Sequence, residues 1–462
     1  MSVMLSIRSR FVRANQPSSM SGIRILNSWG GSLVSRNGIS FLFAFALLVT
    51  SLVGANSAKT AENPEVKAVL DTYANIAEAG YTDSVTTAHR LKEAIDDLLK
   101  EPTPESLATA RAAWIAARVP YQQTEAFRFG NLIVDDWEGQ VNSWPLDEGL
   151  IDYVETEFYG TENFENDLYV ANVIANKSLK IGGTDVDTSK ITKELLRDKL
   201  QEAGGVEANV ATGYHAIEFL LWGQDLNGTE AGAGDRPATD YDLKNCTNGN
   251  CDRRAEYLRV VTDLLIEDLD WMAKQWAKGG AARAALTETD EKKGLLSLFI
   301  GLGSLSYGEL AGERMKLGLL IHDPEEEHDC FSDNTHNSHY YDVIGIRNVY
   351  LASYKRTDGS TVSGPSASDL IRAAAPEIDE RVRAAIENTV AKMTELKKRG
   401  DTIERYDQMI GQGNTEGNAV VQAAIDALIS QARELERAMA VLKLEAAKFE
   451  GSDSLDNPSS VK

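Results

Sequence analysis

The clearest candidate for chemistry in this sequence is the run Gly213-Tyr-His215-Ala-Ile-Glu218. Residues three apart lie on one face of a helix, so His215 and Glu218 can direct an imidazole nitrogen and a carboxylate oxygen toward one point. Both groups are ligands for iron, zinc or copper. The next residues, 219–222, are apolar, and two ionisable groups in such surroundings need partners. The spacing alone leaves two alternatives open: a metal-binding pair, or a buried ion pair that holds helices together.

A second candidate is the run from residue 322 to residue 339, which contains four of the six histidines of the chain. Pro324 and the Ser-Asp-Asn cluster that begins at Ser332 argue against a continuous helix, so the spacing does not say which side chains converge. The alternatives are a second metal site, groups that support the His215 site, and a solvated acidic loop. The candidate residues of this run are His322, Asp323, Glu325, Glu326, Glu327, His328, Asp329, Cys330, Asp333 and His336.

A third carboxylate stands out because it continues an apolar stripe. The helix predicted from Pro104 has apolar residues at helical spacing, and one further turn of the same stripe reaches Glu125. A buried carboxylate is costly unless it is paired, and Arg118 and Arg128 are close enough in sequence to balance its charge. Glu125 is therefore a candidate third ligand, or an acceptor that supports the ligands.

The signature motifs of several other enzyme and cofactor classes are absent from the sequence. The sequence has no His-Glu-x-x-His pair, no Gly-x-Ser-x-Gly elbow, no phosphate-binding loop and no Cys-x-x-Cys motif. Cys246 and Cys251 flank a Thr-Asn-Gly-Asn turn, and we expect them to form a disulfide in an oxidising compartment. Cys330 is then left over, either as a soft ligand or as a buried thiol.

The elements that must position these residues are predicted to be helices. Apolar residues recur at helical spacing from Pro64 to Lys100, with an interruption expected at Gly80, and again from Pro104, with a kink expected at Pro120. Acidic, irregular crossovers are expected at 130–165 and 322–342. The two halves show a similar order of elements, which predicts an all-α fold of two related, four-helix-bundle-like bundles packed together. We place the bundles at 60–235, with the His215 motif, and at 236–450, followed by a disordered tail at 451–462.

The first 55 residues contain five arginines and no acidic residue, and an apolar run at 39–53 is followed by small residues. This order is typical of a secretory signal peptide, although an uncleaved anchor is the alternative. The whole chain carries 47 Lys and Arg against 70 Asp and Glu, a formal charge of −23, which argues against a nucleic-acid partner. We expect an exported, acidic protein without a transmembrane helix in its mature part.

The His215 motif, with the Phe-Leu-Leu-Trp-Gly that follows it, resembles the signature of the imelysin-like family. Three further segments resemble the iron-regulated protein A branch of that family, and together the matches span roughly residues 64–445. They are the run from Trp114 to Phe129, the Trp144-Pro-Leu-Asp-Glu-Gly segment, and the Glu-Glu-Glu-His-Asp-Cys-Phe-Ser-Asp-Asn-Thr-His run that ends at His336.

The resemblance implies a protein of the bacterial periplasm or cell envelope that is associated with iron, with the motif near the interface of two helical bundles. The expected cofactor is a divalent or trivalent metal ion, with iron favoured and zinc or copper as alternatives, and an envelope iron-uptake component is a candidate partner. The family has also been described as insulin-cleaving metallopeptidases. A hydrolytic zinc site needs three protein ligands and a general base, whereas the motif supplies two groups, so catalytic residues stay unassigned. A peptidase and a non-catalytic interaction protein remain the alternatives.

Overall fold

The computed structural model of the chain describes residues 64–444 and 448–461. The predicted signal peptide at 1–55 lies outside the described residues. Helices dominate the described part, and this confirms the all-α class. The boundary between two bundles at residues 235 and 236 stays a prediction.

The helices and strands have the following bounds. The α-helices are α1 Pro64–Lys100, α2 Pro104–Gln122, α3 Leu132–Glu138, α4 Thr156–Tyr159, α5 Lys193–Leu195, α6 Gly213–Trp222, α7 Cys251–Trp276, α8 Ala281–Thr287, α9 Glu291–Ser304, α10 Leu317–Ile321, α11 Thr335–Leu351, α12 Ala367–Ala374, α13 Pro376–Thr402, α14 Tyr406–Ile410, α15 Thr415–Val441 and α16 Asp453–Asp456. Short 3₁₀ turns cover Glu125–Phe127, Glu148–Leu150, Ala203–Gly205, Ala238–Tyr241 and Pro324–Glu326, and π-helical segments cover Leu196–Leu200 and Leu305–Lys316. Two antiparallel hairpins pair β1 Ser178–Ile181 with β2 Thr184–Asp187, and β3 Ser353–Lys355 with β4 Thr361–Ser363.

Helix α1 differs from the prediction at its internal glycine, and helix α2 differs from it at the C-terminal end. Helix α1 is continuous through Gly80, where a side chain would bring its Cβ within 2.8 Å of Thr124 Cγ2. The glycine permits close packing there, and the expected interruption was wrong. Helix α2 begins at the capping residue Thr103, runs through Pro120, and ends before Glu125, which lies in a separate 3₁₀ turn.

The core forms where the long helices pack side by side. Helix α1 packs against α2 and α7, and α13 packs against α11 and α15. The facing side chains, such as Leu91, Trp114, Leu258 and Leu428, are fully buried. Burial of one such side chain contributes about 1.5–3 kcal/mol to folding. Packing of this kind fixes the positions of α2, α7 and α11 relative to their neighbouring helices.

Helix α9, the π-helical segment and α10 form one continuous helix, Glu291–Ile321, which is long and apolar enough to cross a membrane by length and composition. Most of its apolar stretch is buried inside the protein, as in the core helix of a folded domain. The sequence predicted a mature part without a transmembrane helix, and this stays a prediction.

The C-terminal segment covers one face of this continuous helix. A Cβ at Gly303 would collide with the ring of Phe449, and one at Gly312 would collide with Ser452. Ser454 is buried and its hydroxyl donates a hydrogen bond to the Gly312 carbonyl over 2.9 Å. Ser452 and Ser454 are therefore packed beside these glycines, whereas residues 456–460 are exposed. The disordered tail at 451–462 stays a prediction.

A buried ion network ties the loop that follows α6 to helix α7. Asp152 accepts hydrogen bonds from Arg236 at 2.7 Å and from Arg254 at 2.6 and 3.0 Å, and all three side chains are buried. Arg236 also donates to Asp240 at 3.0 Å, and its backbone N–H donates to the carbonyl of Trp222, the last residue of α6. The network thereby fixes the C-terminal end of the helix that carries His215.

Candidate metal centre

Helix α6 begins at a glycine because the backbone passes very close to another segment there. Gly213 has φ +81°, and a Cβ at this position would lie 2.4 Å from the carbonyl oxygen of Val141. The next backbone N–H, of Tyr214, donates to that same carbonyl over 2.8 Å. Only glycine fits this crossing, and the crossing places the first turn of α6 in the interior.

The predicted helical pair does meet on α6. The exposed fractions of His215 and Glu218 are 1% and 0%, and His215 Nδ1 lies 2.9 Å from Glu218 Oε2. The other carboxylate oxygen of Glu218 accepts hydrogen bonds from the backbone N–H of Ser332 at 3.0 Å and from its hydroxyl at 2.6 Å. Both oxygens of Glu218 are therefore used within the protein.

The second nitrogen of His215 has no such partner. His215 Nε2 is buried and makes no hydrogen bond among the described residues. When Nδ1 carries the proton and donates it to Glu218, the lone pair of Nε2 is free to bind a cation. A carboxylate behind a ligating histidine is the usual way in which proteins fix the orientation and tautomer of such a ligand.

His328 and Asp329 bring two further donor groups from the histidine-rich run. The rings of His215 and His328 meet edge to face with their centroids 4.9 Å apart. One ligand atom from each of His215, His328 and Asp329 lies within 4.8 Å of the other two, and all three residues are buried. Two imidazoles and one carboxylate form the donor set of many non-haem ferrous sites, and they also suit catalytic zinc.

Arg118, from α2, holds this group in place. It donates to Asp329 Oδ1 at 2.8 Å and to Asn142 Oδ1 at 2.6 Å, and its Nη2 lies 3.3 Å from His328 Nδ1. Asn334 also donates to Asp329, at 2.8 Å. Asp329 is consequently fixed from several sides. Arg118 was expected to balance the charge of Glu125, but its carboxylate partner in the structure is Asp329.

The electrostatics keep the two imidazoles neutral. Burial, with the nearby positive charge of Arg118, lowers the pKa of His215 to about 3. Burial also lowers the pKa of His328 well below its usual value. Burial would raise the pKa of Asp329, but the charge of Arg118 and the hydrogen bond with His328 together outweigh it and hold this pKa well below the usual range. At neutral pH the site therefore offers two uncharged imidazoles and one carboxylate, which are the protonation states that ligands need.

Glu125 belongs to a different cluster. Its carboxylate is buried and accepts a hydrogen bond from Arg314 at 2.6 Å, and Arg314 also binds Glu309 at 2.8 Å and Asp342 at 3.3 Å. Arg128 interacts with Asp135 at 3.1 Å and with Glu138 and Glu309 at 3.5 Å. The structure does not bring Glu125 into the His215, His328 and Asp329 group, since Arg314, almost 190 residues later, holds it elsewhere.

The other residues of the histidine-rich run lie outside the group of His215, His328 and Asp329. His322 Nδ1 lies 2.6 Å from the Ile410 carbonyl oxygen, Asp323 caps the turn Pro324–Glu326, and His336 Nε2 lies 3.2 Å from Asp401. Glu326 ends the turn Pro324–Glu326, and Asp333 has a left-handed backbone conformation with φ +53°. Glu325, Glu327 and Cys330 line a small cavity.

The structure adds site residues that spacing did not identify. Ser332 binds Glu218, and Gln122 and Asn142 contact His328 and Arg118. Ser332 was visible in the sequence as part of the histidine-rich run, but no periodicity connects it to α6. Cys246, in the loop before α7, forms a disulfide with Cys251, the first residue of α7. Cys330 is a free thiol whose pKa burial raises.

Comparisons with known proteins identify relatives of the chain. The family model described as Imelysin matches residues 77–435, which is most of the chain. The curated Iron-regulated protein A of Synechococcus elongatus is 29% identical over 126 residues, which are 27% of this chain and 34% of that protein. The chain thus matches about a third of the length of this curated relative.

Two solved structures share the fold. The crystal structure of a protein described as an iron-regulated protein A precursor from Parabacteroides distasonis has a TM-score of 0.55 and 19% identity, and the match covers 83% of this chain and 97% of that one. The crystal structure of an imelysin-like protein from Psychrobacter arcticum has a TM-score of 0.54 and 15% identity, with 83% and 98% covered.

Proposed function

Because the chain belongs to the imelysin family, we propose that it is an exported metal-binding protein with a role in iron acquisition. His215 Nε2, His328 and Asp329 supply the ligands, and Glu218 holds His215 in its ligating orientation. The ion would be bound between α6 and the segment that leads into α11.

The observation that carries this proposal is the state of His215. Its Nε2 is buried without a hydrogen-bond partner among the described residues, and one ring nitrogen of His215 lies within 4.8 Å of ligand atoms of both His328 and Asp329. A buried polar atom without a partner costs about 1–3 kcal/mol, and binding of a cation by its lone pair would remove that cost.

The role in iron acquisition and the export are supported by the names of the relatives and by residues of this chain. The names of two of the relatives speak of iron regulation, and one is called a precursor. Two imidazoles with one carboxylate suit ferrous iron, with zinc and copper as competitors. Export to the periplasm or cell envelope is supported by the basic, then apolar, then small-residue order of residues 1–55.

Peptide hydrolysis is not part of the proposal. His215, His328 and Asp329 are each at most 1% exposed, so a peptide bond reaches them only if the protein opens. Glu218, the nearest candidate general base on α6, is already bound to His215 and Ser332. A bound and buried carboxylate of this kind orients a ligand more readily than it activates water.

The test is an anaerobic titration of the protein lacking residues 1–55 with Fe²⁺, Co²⁺, Zn²⁺ and Cu²⁺. Co²⁺ reports its ligands through its visible absorption. We expect saturable binding by the wild type, loss of that binding in His215→Ala and in His328→Ala, and affinity about 10–100-fold weaker in Glu218→Gln, because Glu218 acts through His215.

His89→Ala is the matched control, since His89 is exposed on α1. It should bind as the wild type does. Equal affinity in the wild type and His215→Ala would refute the ligand assignment. Metal-dependent cleavage of peptides that disappears in Glu218→Gln would favour the peptidase alternative.

A further inference from the structure

The small cavity beside the histidine-rich run is lined by carboxylates from four parts of the chain. Glu148 comes from a 3₁₀ turn, Asp225 from the loop after α6, Glu325 and Glu327 from the segment before α11, and Asp407 from α14. The thiol of Cys330 lies at the same wall. No local spacing predicts this convergence, because the contributing segments are up to 259 residues apart (407 − 148).

Several oxygens at this cavity are buried without partners. Asp407 is 2% exposed, and neither of its carboxylate oxygens has a hydrogen-bond partner among the described residues. Glu327 is 1% exposed, and its Oε1 also lacks a partner. The side chain of Gln224 donates to Glu148 Oε1 over a long 3.5 Å. Buried carboxylate oxygens are normally satisfied, so these atoms indicate a missing partner.

Positive charge is scarce around the cavity. The charged groups that act most strongly on Glu148, Glu325 and Glu327 are other carboxylates, including Asp225 and Asp407. Arg405 acts on the neighbouring Asp333 but is not among the groups that act most strongly on these three. Like charges in a buried position repel one another, and a bound cation is one way to relieve that repulsion.

The size of the cavity limits the ligand to a single ion. Its volume of about 10 Å³ accommodates a body the size of one water molecule and excludes an organic ligand. Carboxylate oxygens are the ligands that hard cations prefer, and flexible sets of them suit calcium. We propose that this cavity is a binding site for one hard, oxygen-preferring cation of the calcium class, separate from the imidazole site.

The two sites differ in donor chemistry, so separate probes can reach them. The imidazole site selects borderline metals such as Co²⁺ and Zn²⁺, whereas the carboxylate cavity selects Ca²⁺ and its luminescent substitute Tb³⁺. Trp144 donates from its indole N–H to the Glu327 backbone carbonyl at 2.6 Å and can sensitise a bound Tb³⁺. Loss of cation binding at the cavity can therefore be distinguished from loss of metal binding at the imidazole site.

The experiment measures Tb³⁺ luminescence under tryptophan excitation, and its competition by Ca²⁺, for the whole chain lacking residues 1–55. We expect one saturable site in the wild type, displacement of Tb³⁺ by Ca²⁺, and a higher melting temperature in Ca²⁺. The variant Asp407→Asn/Glu148→Gln removes two charges without changing side-chain size, and its Tb³⁺ affinity should fall at least about tenfold.

The controls separate the two sites. Asp426→Asn, an exposed substitution on α15, and His215→Ala should both keep the Tb³⁺ signal, and Asp407→Asn/Glu148→Gln should keep Co²⁺ binding. If the double variant melts well below the wild type without cation, Glu325→Gln at the exposed rim provides the same comparison. Absence of a saturable Tb³⁺ or Ca²⁺ response in the wild type, or unchanged affinity in the cavity variants, would overturn the proposal.

Discussion

Replacement of Asp152 by asparagine should destabilise the protein strongly, because it leaves two buried arginines without their shared anion. Asp152 is 1% exposed and accepts three hydrogen bonds from Arg236 and Arg254, at 2.6, 2.7 and 3.0 Å. Removal of one partner of a buried ion pair costs about 3–5 kcal/mol. An asparagine keeps one acceptor oxygen, so we expect a cost near the lower end, about 3 kcal/mol.

The cost should depend on pH in a defined direction. Burial would raise the pKa of Asp152, but Arg236 and Arg254 outweigh it and lower this pKa from its usual value of 3.8. A carboxyl group with a lowered pKa stabilises the folded state above its unfolded pKa, and this stabilisation is lost as the pH falls through the folded pKa. The difference in unfolding free energy between wild type and Asp152→Asn should therefore be largest at neutral pH and shrink below about pH 4.

The assay is urea denaturation of both proteins at pH 7, 5 and 3, with the free energy of unfolding taken from the midpoint and slope. Asp426→Asn, which removes the same charge from an exposed position, should change the stability by less than about 0.5 kcal/mol. A loss below about 1 kcal/mol in Asp152→Asn at pH 7, or a loss that stays constant down to pH 3, would refute this reasoning.

Three further perturbations test other parts of the structure. Gly213→Ala should lower the melting temperature and weaken Co²⁺ binding, because its φ of +81° and the 2.4 Å approach of its Cβ to Val141 O strain the start of α6; an unchanged melting temperature would contradict this. Arg314→Met should lower the free energy of unfolding in urea by at least about 3 kcal/mol, because Glu125, Glu309 and Asp342 lose their shared cation. Lys316→Met should lower it much less. Equal losses in the two variants would show that the cluster is not stabilising. The variant Cys246→Ala/Cys251→Ala should lose at most about 2 kcal/mol in the same assay, because a disulfide that spans five residues closes a small loop, and a larger loss would mean that the bond does more than restrict the unfolded chain.

Local spacing predicted the parts of the site that lie within one helix. His215 and Glu218 meet on α6 because positions three apart share a face, and this geometry needs no information from the rest of the chain. The pairing of Arg118 with Asp329 joins residues 211 positions apart through a segment without periodicity. Tertiary packing decides which residue Arg118 pairs with, and the sequence pattern does not encode that packing.

The same distinction explains the errors. Glu125 was assigned from the stripe of α2, but α2 ends at Gln122 and the carboxylate turns toward Arg314 on another helix. Gly80 was taken as a helix break, although the glycine accommodates Thr124 from a neighbouring segment. In both cases the deciding contact is with a distant part of the chain.

Residues 449–454 fill the groove along Gly303, Gly308 and Gly312 and cover one face of the helix that carries these glycines. A protein truncated before Phe449 would expose this face of the long apolar helix Glu291–Ile321 to solvent. Exposed apolar surface of this kind promotes self-association, so such a truncation should yield soluble aggregates in place of a monodisperse protein.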